Sequence, residues 1–172
     1  MGKIADIKKT QPRQGRHMKG KPMSHTYTKL LFHCVFSTKD RRPLLKGDLS
    51  GKIDAYLAGI ARNHNMHLVR SGGTADHRHL LLELKPVTSV AEAMRIMKTN
   101  SSKWLGETCP QLRGWGWQEG YSAFSVSLSA CGKVVAYIDG QEEHHKTMTF
   151  EEELVALLKR HGVEFDLDDV LR

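Results

Sequence analysis

Residues 77–84 read HRHLLLEL, and this stretch restricts the fold of the chain most tightly. Four leucines lie between Gly72-Gly73 on one side and Pro86 on the other. So short an apolar run between breakers reads as a strand rather than a helix. Side chains two apart on a strand share a face, so Arg78, Leu80, Leu82 and Leu84 project one way and His77, His79, Leu81 and Glu83 the other. The leucine row requires a helical layer against it. The histidine row is then expected on an open face, available for chemistry.

The flanking segments supply the rest of a domain. HLVRSGG, just before, reads as a strand that forms a hairpin with 77–84. Upstream, HTYTKLLFHCVFSTKD over residues 25–40 contains no Gly or Pro and is rich in β-branched and aromatic residues, which predicts a long central strand. Leu49, Ile53, Tyr56, Leu57 and Ile60 recur at helical spacing and predict a helix over 48–63. Ser89 followed by Glu92 is a capping-box signature for a helix over 89–106. Phe124, Val126 and Leu128 alternate with Ser125, Ser127 and Ser129, which predicts another strand. A helix over about 130–143 follows, then one capped by Thr149 with Glu152 and ended by Gly162. Strand, helix, strand, strand, helix, strand predicts an α+β fold, a ferredoxin-like split βαβ antiparallel sheet with helices on one face and two additional C-terminal helices.

Charge divides the chain unevenly. Residues 1–46 hold 12 Lys or Arg against Asp6 and Asp40, a balance of +10 within a total of +7. Residues 1–24 have no apolar period and are expected to form a disordered basic leader, either merely solvated or lending salt-sensitive grip on phosphates. Met23 offers an alternative start, and residues 25–172 are expected to form a single domain. No run reaches the roughly 18 apolar residues of a membrane span and no secretion signal is evident, which predicts a cytoplasmic protein without a membrane partner. Cys34, Cys109 and Cys131 have no CxxC spacing and are expected to be reduced packing residues.

Two histidines side by side on one strand face are able to hold a divalent cation, but such a pair equally suits two solvent-facing or hydrogen-bonded rings. Gln141 offers a neutral oxygen as a third ligand. It lies four residues after Tyr137, which puts both on one helical face. A tyrosine hydroxyl is a nucleophile in phosphoryl chemistry when a metal polarises the phosphate. The plainer alternative is that Tyr137 packs with Val134 and Ile138.

Six blocks bear on that choice: YTKLLFHCVFSTKDRRPLL, GGTADHRHLLLEL, SSKW, WQEGYSAFSVS, VAYIDGQEEHH and TFEEELVALLKRHGVEFD. In order and spacing they resemble the single-tyrosine HUH transposases of bacterial insertion sequences, a group that includes the REP-associated tyrosine transposases. The resemblance implies that His77 and His79 bind a metal with Gln141, that Mg²⁺ or Mn²⁺ is the cofactor, and that Tyr137 attacks a single-stranded DNA phosphate. It further implies a 5′-phosphotyrosine link, release of a 3′-hydroxyl, recognition of imperfect hairpins, and a homodimer in which the tyrosine helix of one subunit often serves the other. Lys39, Arg41 and Arg42 resemble the family's basic turn, a candidate for phosphate contact or else a solvated loop.

Arg78 departs from the pattern, whose middle position is bulky and apolar. Facing the helices, its guanidinium must find a carboxylate or reach the end of the sheet. That departure keeps open a hairpin-binding protein of the same fold that is catalytically impaired or domesticated; a metallohydrolase that activates water is a further alternative. His144 and His145, adjacent on a helix, are expected at the surface or facing DNA rather than on a shared metal. Trp115, Trp117 and Tyr121 suit either base stacking or core and dimer contacts.

Overall fold

The structure, a computed structural model, describes residues 27–171. The elements are β1 (Leu30–Ser37), α1 (Asp48–Asn63), β2 (His67–Gly72), β3 (His77–Leu84), α2 (Val90–Thr108), β4 (Ser122–Val126), α3 (Cys131–Asp139), α4 (Gln141–His144), α5 (Phe150–Arg160) and α6 (Leu167–Leu171). The sheet order is β2-β3-β1-β4, with every neighbouring pair antiparallel. This is the split βαβ arrangement. The expected basic leader lies outside the described residues. Among the described residues no helix is long and apolar enough to cross a membrane.

Local chemistry accounts for the helix ends. Ser89 Oγ accepts from the Glu92 N–H at 3.1 Å, starting α2. At α5, Thr149 and Glu152 satisfy each other's backbone N–H at 3.2 and 2.9 Å, and Gly162 follows its end with a φ of 63°. Such caps each contribute about 1 kcal/mol. Strand β1 starts later than expected, at Leu30, and ends at Ser37, because at Lys39 the chain turns into a 3₁₀ segment. The expected helix over 130–143 is interrupted at Gly140, between α3 and α4. The small C-terminal helix α6 has no counterpart in the sequence reading.

One face of the sheet carries the main core, where Cys34, Phe36, Leu80, Leu82 and Leu84 pack against Ile53, Leu57 and Ile60 of α1 and Met94, Met97 and Leu105 of α2. The opposite face is not open, contrary to expectation. Ile138 of α3 packs on Leu31 and Leu81, while Phe150, Leu157 and Leu158 of α5 cover Val35 and Phe124. The C-terminal helices have apolar stripes of their own and must bury them, and this face is the remaining apolar surface of the sheet. The histidine row is therefore enclosed: His77 and His79 are fully buried.

Candidate metal and nucleophile site

Strand parity puts His77 and His79 on the α3–α5 side together with His33, Val35 and Leu31 of the neighbouring strand β1. Each ring has one nitrogen engaged from behind. His77 Nδ1 lies 2.8 Å from Asp76 Oδ1 and 3.0 Å from Thr74 Oγ1, and Thr74 Oγ1 donates to the same carboxylate at 2.7 Å. Burial alone would raise the Asp76 pKa, but the hydrogen bonds from His77 and Thr74 outweigh it and hold the group below the usual range. An ionised Asp76 fixes the proton on His77 Nδ1 and leaves Nε2 with a free lone pair. His79 Nδ1 lies 2.9 Å from His33 Nε2. Burial brings the pKa of His79 to about 4 and that of His33 to about 3, so both rings are neutral near neutral pH.

The helices opposite bring three further groups. Gln141 Oε1 lies 3.1 Å from His77 Nε2. Glu153, on α5, is only 1% exposed. Its Oε2 lies 3.3 Å from His79 Nε2 and 3.7 Å from His77 Nε2. Its Oε1 accepts from Gln141 Nε2 at 2.8 Å and from the Tyr137 hydroxyl. Burial raises the Glu153 pKa, yet interaction with His79 and hydrogen bonds from Tyr137 and Gln141 bring it well below the ordinary carboxylate value. Tyr137 is half-buried, and burial together with the adjacent Glu153 raises its pKa, so its hydroxyl is a neutral donor at rest. The interruption at Gly140 does not separate the pair: Tyr137 and Gln141 meet the same carboxylate oxygen.

These groups fit a divalent cation. His77, His79 and Glu153 present ligand atoms that all lie within 4.8 Å of one another. His79 Nε2 is buried without a hydrogen-bond partner, and buried polar nitrogens are rarely left so. With Asp76 holding the proton on the far side of His77, its Nε2 and Gln141 Oε1 are two acceptors facing each other at 3.1 Å. Acceptors converge in this way when a cation belongs between them. Adjacent ligands of an octahedral Mg²⁺ at about 2.1 Å stand about 3 Å apart.

The structure thus brings His77, His79, Gln141 and Tyr137 together within one chain. The basic turn is divided. Lys39 and Arg42 are exposed, whereas Arg41 is bonded to Glu151 and to the Val170 carbonyl. Of the two adjacent histidines expected at the surface or facing DNA, His144 is partly exposed and His145 largely buried, and both turn towards Glu153. His145 Nε2 lies 3.1 Å from both Gln141 Oε1 and Glu153 Oε2, and His144 Nε2 lies 3.7 Å from Glu153 Oε1. Both backbones still donate four residues back, to Gly140 and Gln141, and the two rings approach different oxygens of the one carboxylate. Trp117 is buried, edge-on to Phe36 and donating to Ser101 Oγ at 2.8 Å, and Trp115 packs edge-on against it. Tyr121 remains 41% exposed.

Sequence reasoning passed over His33, Asp76 and Glu153. For Glu153 a signal existed: Phe150, Leu154, Leu157 and Leu158 form an apolar stripe at helical spacing, and Glu153 interrupts it. A carboxylate inside such a stripe has to be paired where it is buried.

Comparison with known proteins identifies relatives in sequence and in fold. The family described as IS200-like transposase matches residues 26–141. The transposase for insertion sequence element IS200 of Salmonella typhimurium is 30% identical over 131 residues, covering 73% of this chain and 86% of that protein. A solved transposase structure from Deinococcus radiodurans has a TM-score of 0.58 and 25% identity, covering 70% of this chain and 97% of the other. A REP-associated tyrosine transposase, solved bound to a REP hairpin, shares the fold with a TM-score of 0.54 at 15% identity, covering 73% and 74% of the two chains.

Proposed function

The chain belongs to the IS200-like transposases, and on that footing we propose that it cuts and rejoins single-stranded DNA through a 5′-phosphotyrosine link on Tyr137. The observation that carries the reading is the convergence on one buried carboxylate, Glu153, of a tyrosine hydroxyl, a glutamine amide and two histidines.

In the proposed step the Tyr137 Oη attacks a phosphodiester phosphorus. The P–O3′ bond breaks, and the leaving 3′-oxygen takes a proton to become a 3′-hydroxyl. The phenol proton leaves along its existing hydrogen bond to Glu153. One ester bond replaces another, so rejoining by attack of a 3′-hydroxyl on the phosphotyrosine needs no nucleotide energy source. His77, His79, Gln141 and Glu153 would hold the cation. Mg²⁺ or Mn²⁺ bound there supplies positive charge that polarises the phosphate and offsets the charge developing on its oxygens.

Tyr137 lies beside His79 of its own chain, and this proximity supports a reading in which each subunit of the proposed homodimer uses its own tyrosine. Hairpin-ended DNA is the proposed partner: the REP-associated relative of the same fold is bound to one, and the exposed Lys39 and Arg42 offer phosphate contacts beside the site. Hairpin-tipped single-stranded DNA incubated with the protein and Mg²⁺ should give a covalent protein–DNA adduct on a denaturing gel. Tyr137→Phe should give none, and His79→Ala far less. Equal adduct from Tyr137→Phe would overturn the assignment.

A further inference from the structure

We propose that Arg78 is a positioning residue whose buried guanidinium ties the Gly73–Asp76 turn to helix α1 and thereby aims His77 at the metal. The inference rests on the reading of His77 as a ligand. Arg78 is fully buried on the leucine side of β3, the side away from the cluster. Its Nη1 donates to the His77 carbonyl at 2.9 Å and also to the Thr74 carbonyl. Its Nη2 donates to Ser50 Oγ at 2.7 Å, and its Nε lies 3.3 Å from Asp54 Oδ1, both of these partners being on α1.

The segment from one carbonyl contact to the other contains the two residues that orient His77. Thr74 and Asp76 meet its Nδ1 at 3.0 and 2.8 Å. Among the described residues, two backbone bonds from outside β2 and β3 hold the turn, from Thr38 N to Asp76 O and from Leu45 N to Ala75 O. Neither restrains the peptide of Thr74. A bulky apolar residue at position 78 would fill the same core space but would offer no donor to that carbonyl. A buried guanidinium is costly unless it is paired and bonded; here Nη1 and Nη2 are hydrogen-bonded and Nε faces the Asp54 carboxylate as an ion pair, so the planar group spans from the turn to the helix.

The test uses the full chain and Mn²⁺ alone as the probe. Arg78→Leu/Asp54→Asn removes both charges together, so no ion is left unpaired in the core, and Arg78→Lys keeps a charge towards Asp54 but has no fork. Mn²⁺ affinity is measured by calorimetry. The hydrogen-bonded His77 Nδ1–H is followed as a downfield proton resonance, assigned by its absence in His77→Gln. Both variants are expected to bind Mn²⁺ about tenfold more weakly, in keeping with other groups that orient a ligand from behind, and to lose or broaden that resonance. A folded variant with wild-type affinity and an intact resonance would overturn the inference. Arg78→Lys decides alone if the double variant does not fold. If the wild type binds no Mn²⁺, the metal reading fails, and the resonance then decides: its loss in Arg78→Lys supports the clamp, and its persistence refutes it.

Discussion

Tyr137 donates its hydroxyl hydrogen to Oε1 of Glu153, the oxygen that also accepts from Gln141 Nε2. The proposed nucleophile, its proton acceptor and a proposed metal ligand therefore share one atom, and that atom belongs to the same chain. Glu153 lies beyond residues 26–141, the part matched by the family.

A Glu153→Gln variant should retain the shape of the site while removing its proton acceptor and the charge of one proposed cation ligand. General acid–base groups typically contribute about 10²–10⁴-fold. Single-turnover adduct formation is expected to fall by about 100-fold or more, with hairpin affinity unchanged in a gel-shift titration. A rate within a few-fold of wild type would show that Glu153 does not take the proton.

His33 supports His79 from behind, with their nitrogens 2.9 Å apart and their rings stacked at 5.1 Å. Phenylalanine in its place keeps the ring but cannot hold the His79 tautomer. For His33→Phe we expect Mn²⁺ affinity to drop by about 10–100-fold, the usual cost of losing such a partner. Calorimetry checks this, and unaltered affinity would place His33 outside the site.

How far these features could be read in advance depended on their range along the chain. Helix α1 fell at residues 48–63 as expected, and both Ser89 and Thr149 cap as their Glu partners three residues on implied, because periodicity and capping are local properties. The face of His77 and His79 followed from strand parity alone. What periodicity cannot state is which layer covers a face. The enclosure of the histidines by α3 and α5 emerged only in three dimensions, and with it the burial of Glu153 against His79. Arg78 illustrates the same limit: parity showed that it needed partners among the helices, but Ser50 and Asp54 became identifiable only once α1 was packed on the sheet.

The basic turn separates into two roles with different signatures. Lys39 and Arg42 are exposed, while Arg41 braces Glu151 and the last helix. Replacing Lys39 and Arg42 together by Ala should weaken hairpin binding and flatten its salt dependence by about one to two in log–log slope, leaving the thermal midpoint unchanged. Arg41→Ala should lower the midpoint instead. The reverse pattern in salt titrations and thermal melts would exchange these assignments.

The turn before β3 leaves no room for a side chain at Gly73. A Cβ there would stand 2.4 Å from the His77 carbonyl oxygen and 3.0 Å from the Arg78 Cα, and the residue's φ of 149° is rarely adopted by L residues. Those contacts are to backbone, so a flexible side chain cannot yield to relieve them, and movement would have to come from the strand that carries His77. Gly73→Ala should therefore destabilise by more than about 1 kcal/mol, the usual magnitude where alanine is forced into a glycine conformation. Because the displaced carbonyl is also an acceptor for Arg78, Mn²⁺ affinity should fall along with stability. Gly59→Ala is the internal control: on the surface of α1, nothing lies within 4 Å of its Cβ position, and alanine there should raise helix stability by roughly 0.5–1 kcal/mol. Urea melts of the two variants compare the signs directly, and a neutral Gly73→Ala with unchanged Mn²⁺ binding would mean that the turn does not set the position of His77.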